Sequence, residues 1–311
     1  MVSKLKKFAT ENQLAIGYIE LTAAQCFVGI NVITGKFLIE YFPVFLLLAI
    51  RFAIGCAGML GIAYINKMPI FNAYHGFLAL SNRDKILLIV QAACGGFLFN
   101  VLILYGMKTT SATSAGIISS VTPVMIFVLS AFLLREKITR QKGLAIIIVM
   151  AGLIILNVGK EGSNSQNALW GNFLVLLAVI PEALFTILSK SIGKKITEME
   201  AVILVNFFNL IMFMPFVFSG LNSMKWSLLN MNILLLLLVY GISGGIMFFL
   251  LWYRGLTKIQ ANVAALFTGV MPISTTIFAF FFLGEAIHVA DMVGMLLVII
   301  AIFVGCSRRF S

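Results

Sequence analysis

This chain has little charge. Only 11% of its 311 residues are Asp, Glu, Lys or Arg, where a soluble domain carries about 25%, so a water-exposed globular surface is excluded. Histidine is scarcer still, at two residues, His75 and His288. Neither sits in an HExxH pattern, and no pair of intramembrane aspartates is available, so the usual metal and aspartyl hydrolase chemistries have no footing. The four cysteines, Cys26, Cys56, Cys94 and Cys306, stand singly in apolar segments and imply neither disulfides nor a metal site. A Gly-rich phosphate loop is missing, and so is any stretch suited to a soluble ATPase domain. Gradients rather than ATP must therefore drive any work, and no cofactor is implied.

What the chain has instead is hydrocarbon, with 61% hydrophobic residues and a mean hydropathy of +1.07. A helix needs roughly 20 apolar residues to cross about 30 Å of lipid, because only a helix satisfies its own backbone there. Ten such stretches can be drawn, at 14–34, 42–65, 86–106, 111–134, 142–159, 169–190, 201–219, 231–253, 259–283 and 290–306. The longest connection, 66–85, mixes polar and apolar residues and is expected to hold an interfacial helix. The basic N-terminus runs into a span-length segment containing Glu20 and Gln25, with no small-residue cleavage site, and so reads as a retained first helix.

The 22 Lys and Arg fall unevenly. With the N-terminus inside, 17 collect on the cytoplasmic side, four (Lys36, Lys108, Lys160 and Lys225) lie outside, and Arg51 is within the second span. Cytoplasmic loops hold the positive charge, so both termini are expected in the cytoplasm. The net charge of +11 is then a matter of topology and calls for no nucleic acid.

The chain also repeats itself. "AGIISSVTPVMIFVLSAFLLREKI" (115–138) and "AALFTGVMPISTTIFAFFFLGEAI" (264–287) align without a gap at an offset of 149. The offset pairs Pro123 with Pro272, Glu136 with Glu285, Gly95 and Gly96 with Gly244 and Gly245, and Gly106 with Gly255. The first helices of the halves align at 154, placing Gly17 on Gly171 and Lys36 on Lys190. Each half, 1–158 and 159–311, then holds five crossings. An odd unit enters the membrane from the opposite face on its second appearance, which makes an inverted repeat, the architecture of carriers that alternate about a midplane site. The expected fold is all-α integral membrane, ten transmembrane helices as two inverted five-helix repeats.

These two segments, with "VGINVITGKFL" at the end of the first helix and Arg51–Phe52 in the second, resemble the EamA family of the drug/metabolite transporter superfamily. The resemblance implies a five-plus-five inverted fold and transport of small metabolites, commonly export of amino acids or related compounds. The Gly-Glu that the family carries after the ninth helix is present as Gly284–Glu285, whereas Arg135 replaces the glycine in the first half. Phe27 stands where the family often has tryptophan.

Three charges fall inside the spans, Glu20, Arg51 and Glu182. Each costs about 2.5–3.5 kcal/mol on insertion scales and so needs a partner or a task. The plainer reading is an ion pair between Arg51 and one glutamate, yet one arginine cannot neutralise both acids. Glu182, near mid-span directly after Pro181, is the candidate coupling carboxylate, exchanging a proton or holding a substrate ammonium. Pro181 frees the carbonyl of Leu177 beside it. Glu20 is the reserve, and Arg51 is open to a substrate carboxylate. Polar neighbours at similar depths are Gln25, Asn31, Gln91, Asn100, Asn206, Asn209, Tyr240, Ser243, Trp252 and Tyr253, some of which serve only to link helices. Pro123, Pro272 and Pro181 are candidate hinges. The glycine rows at 55, 58 and 61, at 95 and 96, and at 241, 244 and 245 read as close helix packing.

Rival classes have thinner support. "GISGG" (241–245) carries the Gly-x-Ser-Gly string of intramembrane serine proteases, but both histidines lie away from membrane depth, so a base is missing. A channel requires converging rings of charge or carbonyls, and neither half repeats its intramembrane charges. A lipid or lipid-linked flippase on the same scaffold stays open. The expectation is a non-enzymatic secondary transporter of the bacterial inner membrane, with a small-molecule substrate and protons as a possible coupling ion, in a monomer or homodimer.

Overall fold

The computed structural model describes residues 2–69, 72–107, 109–110, 115, 118–157, 168–221 and 229–306. Among them every regular element is helical. Nine helices are long and apolar enough to cross a membrane, and Thr122–Leu133 is a shorter apolar helix. The expected fourth span, 111–134, begins outside the described residues, as do Lys108, Lys160, Lys225, Arg308 and Arg309 of the charge split.

In chain order the helices are α1 (Val2–Leu38), α2 (Val44–Ile65), α3 (Asn72–Ala79), α4 (Asn82–Ala92), α5 (Phe99–Met107), α6 (Thr122–Leu133), α7 (Arg140–Asn157), α8 (Ala168–Ile192), α9 (Glu198–Leu221), α10 (Met231–Gly241), α11 (Phe248–Lys258), α12 (Ala261–Phe267), α13 (Val270–Leu283) and α14 (Val289–Cys306). Two π-helical turns interrupt them, π1 (Ala93–Leu98) between α4 and α5 and π2 (Ile242–Met247) between α10 and α11. Helix α3 occupies the mixed 66–85 segment, where Phe77 packs on Phe208 at 5.5 Å between ring centroids.

The offset of 149 reappears in the backbone. It carries π1 onto π2 and α7 onto α14 end for end. Beyond α6, Arg135 is left-handed at φ 54, and beyond α13 its counterpart Gly284 is left-handed at φ 68. In both turns a backbone N–H reaches back six residues, from Glu136 to the Ser130 carbonyl at 3.2 Å and from Glu285 to that of Ala279 at 3.3 Å. This is the pattern of a helix closed by a left-handed residue. The first turn aims Glu136 so that its carboxylate accepts from the backbone N–H of Ala261 and of Asn262, both at 2.8 Å. That caps the start of α12, whose first N–H groups have no partner within the helix.

By contacts the chain forms two compact units, 1–89 with 189–260 and 90–188 with 261–311. Each draws helices from both sequence halves, and the most extensive packing in each joins the two halves: α2 on α9 in the first unit, α7 on α14 in the second. The first unit has an apolar cluster of Leu38, Phe42, Leu46, Leu47, Ile233 and Leu237. The core of the second gathers Ile126, Val149, Leu156, Ala183, Ala265 and Val298. Each unit also builds the same glycine crossing. A Cβ on Gly255 would lie 3.2 Å from the Gly17 carbonyl, and one on Gly106 would lie 3.0 Å from the Gly171 carbonyl. These are the residues that the offsets of 149 and 154 pair with each other.

Candidate functional site

Of the polar side chains singled out from the sequence, Asn31, Arg51, Asn206, Tyr240 and Ser243 gather in the first unit, Glu182 lies in the second, and the others stand apart. In the first unit π2 is the organising element. A π turn bonds i to i+5 and so departs from the regular helical ladder. At and beside it two amides from other helices donate to backbone carbonyls: Asn31 Nδ2 of α1 to that of Tyr240 at 2.7 Å, and Asn206 Nδ2 of α9 to that of Gly245 at 2.8 Å. Asn31 Nδ2 also reaches Ser243 Oγ at 3.3 Å. These bonds fix the amide, so its Oδ1 is turned to Arg51 Nη1 at 3.3 Å. The guanidinium carbon lies 4.6 Å from the Phe52 ring centroid and 5.8 Å from that of Tyr240. Gly244 leaves no room for a side chain: a Cβ there would lie 3.0 Å from Arg51 Cδ and closer still to the Asn31 amide.

The second unit holds Glu182 on α8. Its Oε2 accepts from Thr122 Oγ1 at 2.8 Å. Thr122 is the first residue of α6, and Pro123 follows it in the first helical turn, where the missing N–H costs nothing. Pro272 has the corresponding place near the start of α13, just past the break between α12 and α13. Pro123 and Pro272 thus stand beside helix discontinuities, whereas Pro181 lies inside the continuous helix α8. Among the described residues no cation lies within 4.0 Å of Glu182 and no carboxylate within 4.0 Å of Arg51.

Glu20 sits elsewhere. Arg254 Nε and Lys258 Nζ of α11 hold its carboxylate at 2.9 and 2.5 Å, so it is already matched by two cations. Gln25 and Gln91 are buried, and Asn100 donates to the Gly96 carbonyl of its own helix segment. Asn209 bonds the Val205 carbonyl one turn back. Trp252 and Tyr253 are 2% and 0% exposed, and Trp252 stacks on Phe248 at 5.9 Å. Ser243 of the Gly-x-Ser-Gly string donates to the Tyr240 carbonyl at 3.2 Å, while His75 packs edge-on against Tyr74 on α3. Sequence reasoning did not single out Thr122, or Arg254 and Lys258 as the partners of Glu20. The sequence signal for Thr122 was its place next to Pro123.

The sequence model of the EamA-like transporter family matches this chain twice, over residues 15–158 and 169–305. An uncharacterized transporter, YetK, of Bacillus subtilis (strain 168) is 36% identical over 294 residues, covering 94% of this chain and 87% of that protein. A second from the same organism, the uncharacterized transporter YyaM, is 25% identical over 300 residues and covers 92% of each chain. One solved crystal structure of a protein superposes with a TM-score of 0.75 at 17% identity, over 95% of this chain and 96% of that one. At that identity the likeness shows the fold alone.

Proposed function

The chain belongs to the EamA-like transporter family, and from that premise we propose that it carries a small metabolite, an amino acid or related amine, across the membrane by alternating access, as an exporter or exchanger coupled through Glu182. The membrane and transporter parts rest on the apolar helices and the named relatives. The observation that carries the finer reading is the bond from Thr122 Oγ1 to Glu182 at the start of α6. A carboxylate in hydrocarbon with no cation beside it among the described residues is costly to keep ionised. Its single described partner stands where a transmembrane helix is discontinuous, a feature that carriers use to bind and release. Gaining or losing a proton at Glu182 changes that bond, and with it the hold on the break. Glu20 remains the reserve coupling residue, with its two cations as the obstacle.

The same reading keeps ten crossings in two inverted halves, 1–158 and 159–311, with both termini cytoplasmic in a bacterial inner membrane. The backbone elements recurring at an offset of 149 support the duplication, and the odd number of crossings per half supports the inversion. The test is uptake into proteoliposomes with and without an imposed pH gradient, the radiolabelled amino acids being supplied one at a time. Wild type is expected to respond to the gradient, and Glu182→Gln to move the same substrate equally with and without it. Full, still pH-driven transport by Glu182→Gln would overturn the coupling role.

A further inference from the structure

We infer that Arg51 is the receptor for a carboxylate on the transported molecule, so that the substrate class is the amino acids and other small monocarboxylates rather than plain amines. This rests on the transporter reading above and deepens it. An arginine inside the hydrocarbon persists where it is neutralised or where it serves a ligand. Here the neighbours orient the guanidinium without supplying a countercharge: the Asn31 carbonyl oxygen at 3.3 Å and the faces of Phe52 and Tyr240 are all neutral. Asn31 is spent on the Tyr240 carbonyl and Ser243, and Ser243 on the same carbonyl, so neither can turn to another task. Arg51 Nε is buried and makes no hydrogen bond. What the group still demands is one negative charge with acceptor oxygens in the plane of the guanidinium fork, and a carboxylate matches that geometry with two parallel bonds. A dianionic phosphate would leave a surplus charge in the hydrocarbon. The segment around the π turn has a role here as well: the Tyr240 carbonyl just before it holds Asn31, and Gly244 within it lets Asn31 and Arg51 lie against the helix.

The test uses the native full chain in phosphatidylcholine vesicles, treated with the arginine reagent phenylglyoxal, with modification of Arg51 read by mass spectrometry. The solutes are the amino acids, their amides, and the amines left by decarboxylation. At about ten times its Kd, the right carboxylate slows modification of Arg51 by about tenfold through mass action, while its amide and amine leave the rate unchanged. An Arg51 that the reagent never modifies, protection by none of the carboxylates, or equal protection by amide and acid would each overturn the inference. Protection that appears when phosphatidylglycerol is added to the vesicles, with no solute present, would also overturn it by assigning Arg51 to a lipid phosphate. Repeating the assay on Glu182→Gln separates the two proposals. Carboxylate protection that survives in that variant supports the Arg51 receptor whether or not its transport still follows the pH gradient.

Discussion

The two π turns share a backbone and differ in what they touch. At π2, Gly244 faces the Asn31 amide, and at π1 its counterpart Gly95 faces the ring of Phe185. The offset of 154 that aligns the first helices of the halves places Asn31 on Phe185. One scaffold position therefore holds an amide in one copy and a benzene ring in the other. The exchange runs the other way for the second polar site, since Glu182 and Thr122 fall on Val28 and Met271. The irregular backbone thus recurs at both positions, while each polar constellation is found at only one of them.

The sharpest way to break that comparison is to equalise the two contact positions. Asn31→Leu removes the acceptor that orients a buried cation and strips the Tyr240 carbonyl of its amide donor, a loss of about 2–3 kcal/mol. Phe185→Leu only trims an apolar contact, at about 1 kcal/mol. Unfolding of the detergent-solubilised protein should show the first variant clearly less stable than the second, with transport lost in Asn31→Leu and retained in Phe185→Leu. Equal losses would mean that the amide does no more than fill space.

A smaller difference is expected from the other carbonyl of each π turn. Asn206 joins α9 to the Gly245 carbonyl, whereas Asn100 bonds the matching Gly96 carbonyl from within its own segment. Hydrogen bonds between membrane helices average about 0.6 kcal/mol and reach about 1.7. Asn206→Leu should approach the upper figure, because it also leaves α9 without its polar tie to π2. Asn100→Leu should stay near the average. If both variants unfold at the same denaturant concentration, the tie between helices carries no extra weight.

How far all this could be read from the sequence varies from residue to residue. The offset of 149 was legible because it links glycines, prolines and a glutamate, and two π turns and two helices recur at that spacing. The π turns were not visible, since a run such as Ile242–Met247 has the composition of any apolar helix; only the paired glycines marked the place. Arg51, Asn31, Tyr240 and Ser243 were legible as polar residues at similar depth, and they meet. Glu20 was legible as a charge but not as a member of an ion triad, because Lys258 is 238 residues away and nothing local announces it. The interleaving of helices from both halves in each compact unit was equally hidden, being set by which apolar faces fit together.

The smallest predicted effect tests the scaffold itself at a pair unequal in residue type but alike in backbone, the left-handed residues Arg135 and Gly284. A residue with a Cβ pays roughly 1–2 kcal/mol to sit in that conformation. Replacing it by glycine relieves the strain but gives the unfolded chain more freedom, worth roughly 0.5–1 kcal/mol. Arg135→Gly should therefore stabilise by about 0.5–1 kcal/mol. The reverse change, Gly284→Ala, should destabilise by a similar amount, and it is the cleaner of the two, since nothing lies within 4 Å of a Cβ at that position. Chemical unfolding of both variants, alone and combined, should give shifts of opposite sign that nearly cancel in the double variant. A destabilised Arg135→Gly would show that the arginine side chain earns its place by a contact, and that the two turns, alike in backbone, are not alike in energy.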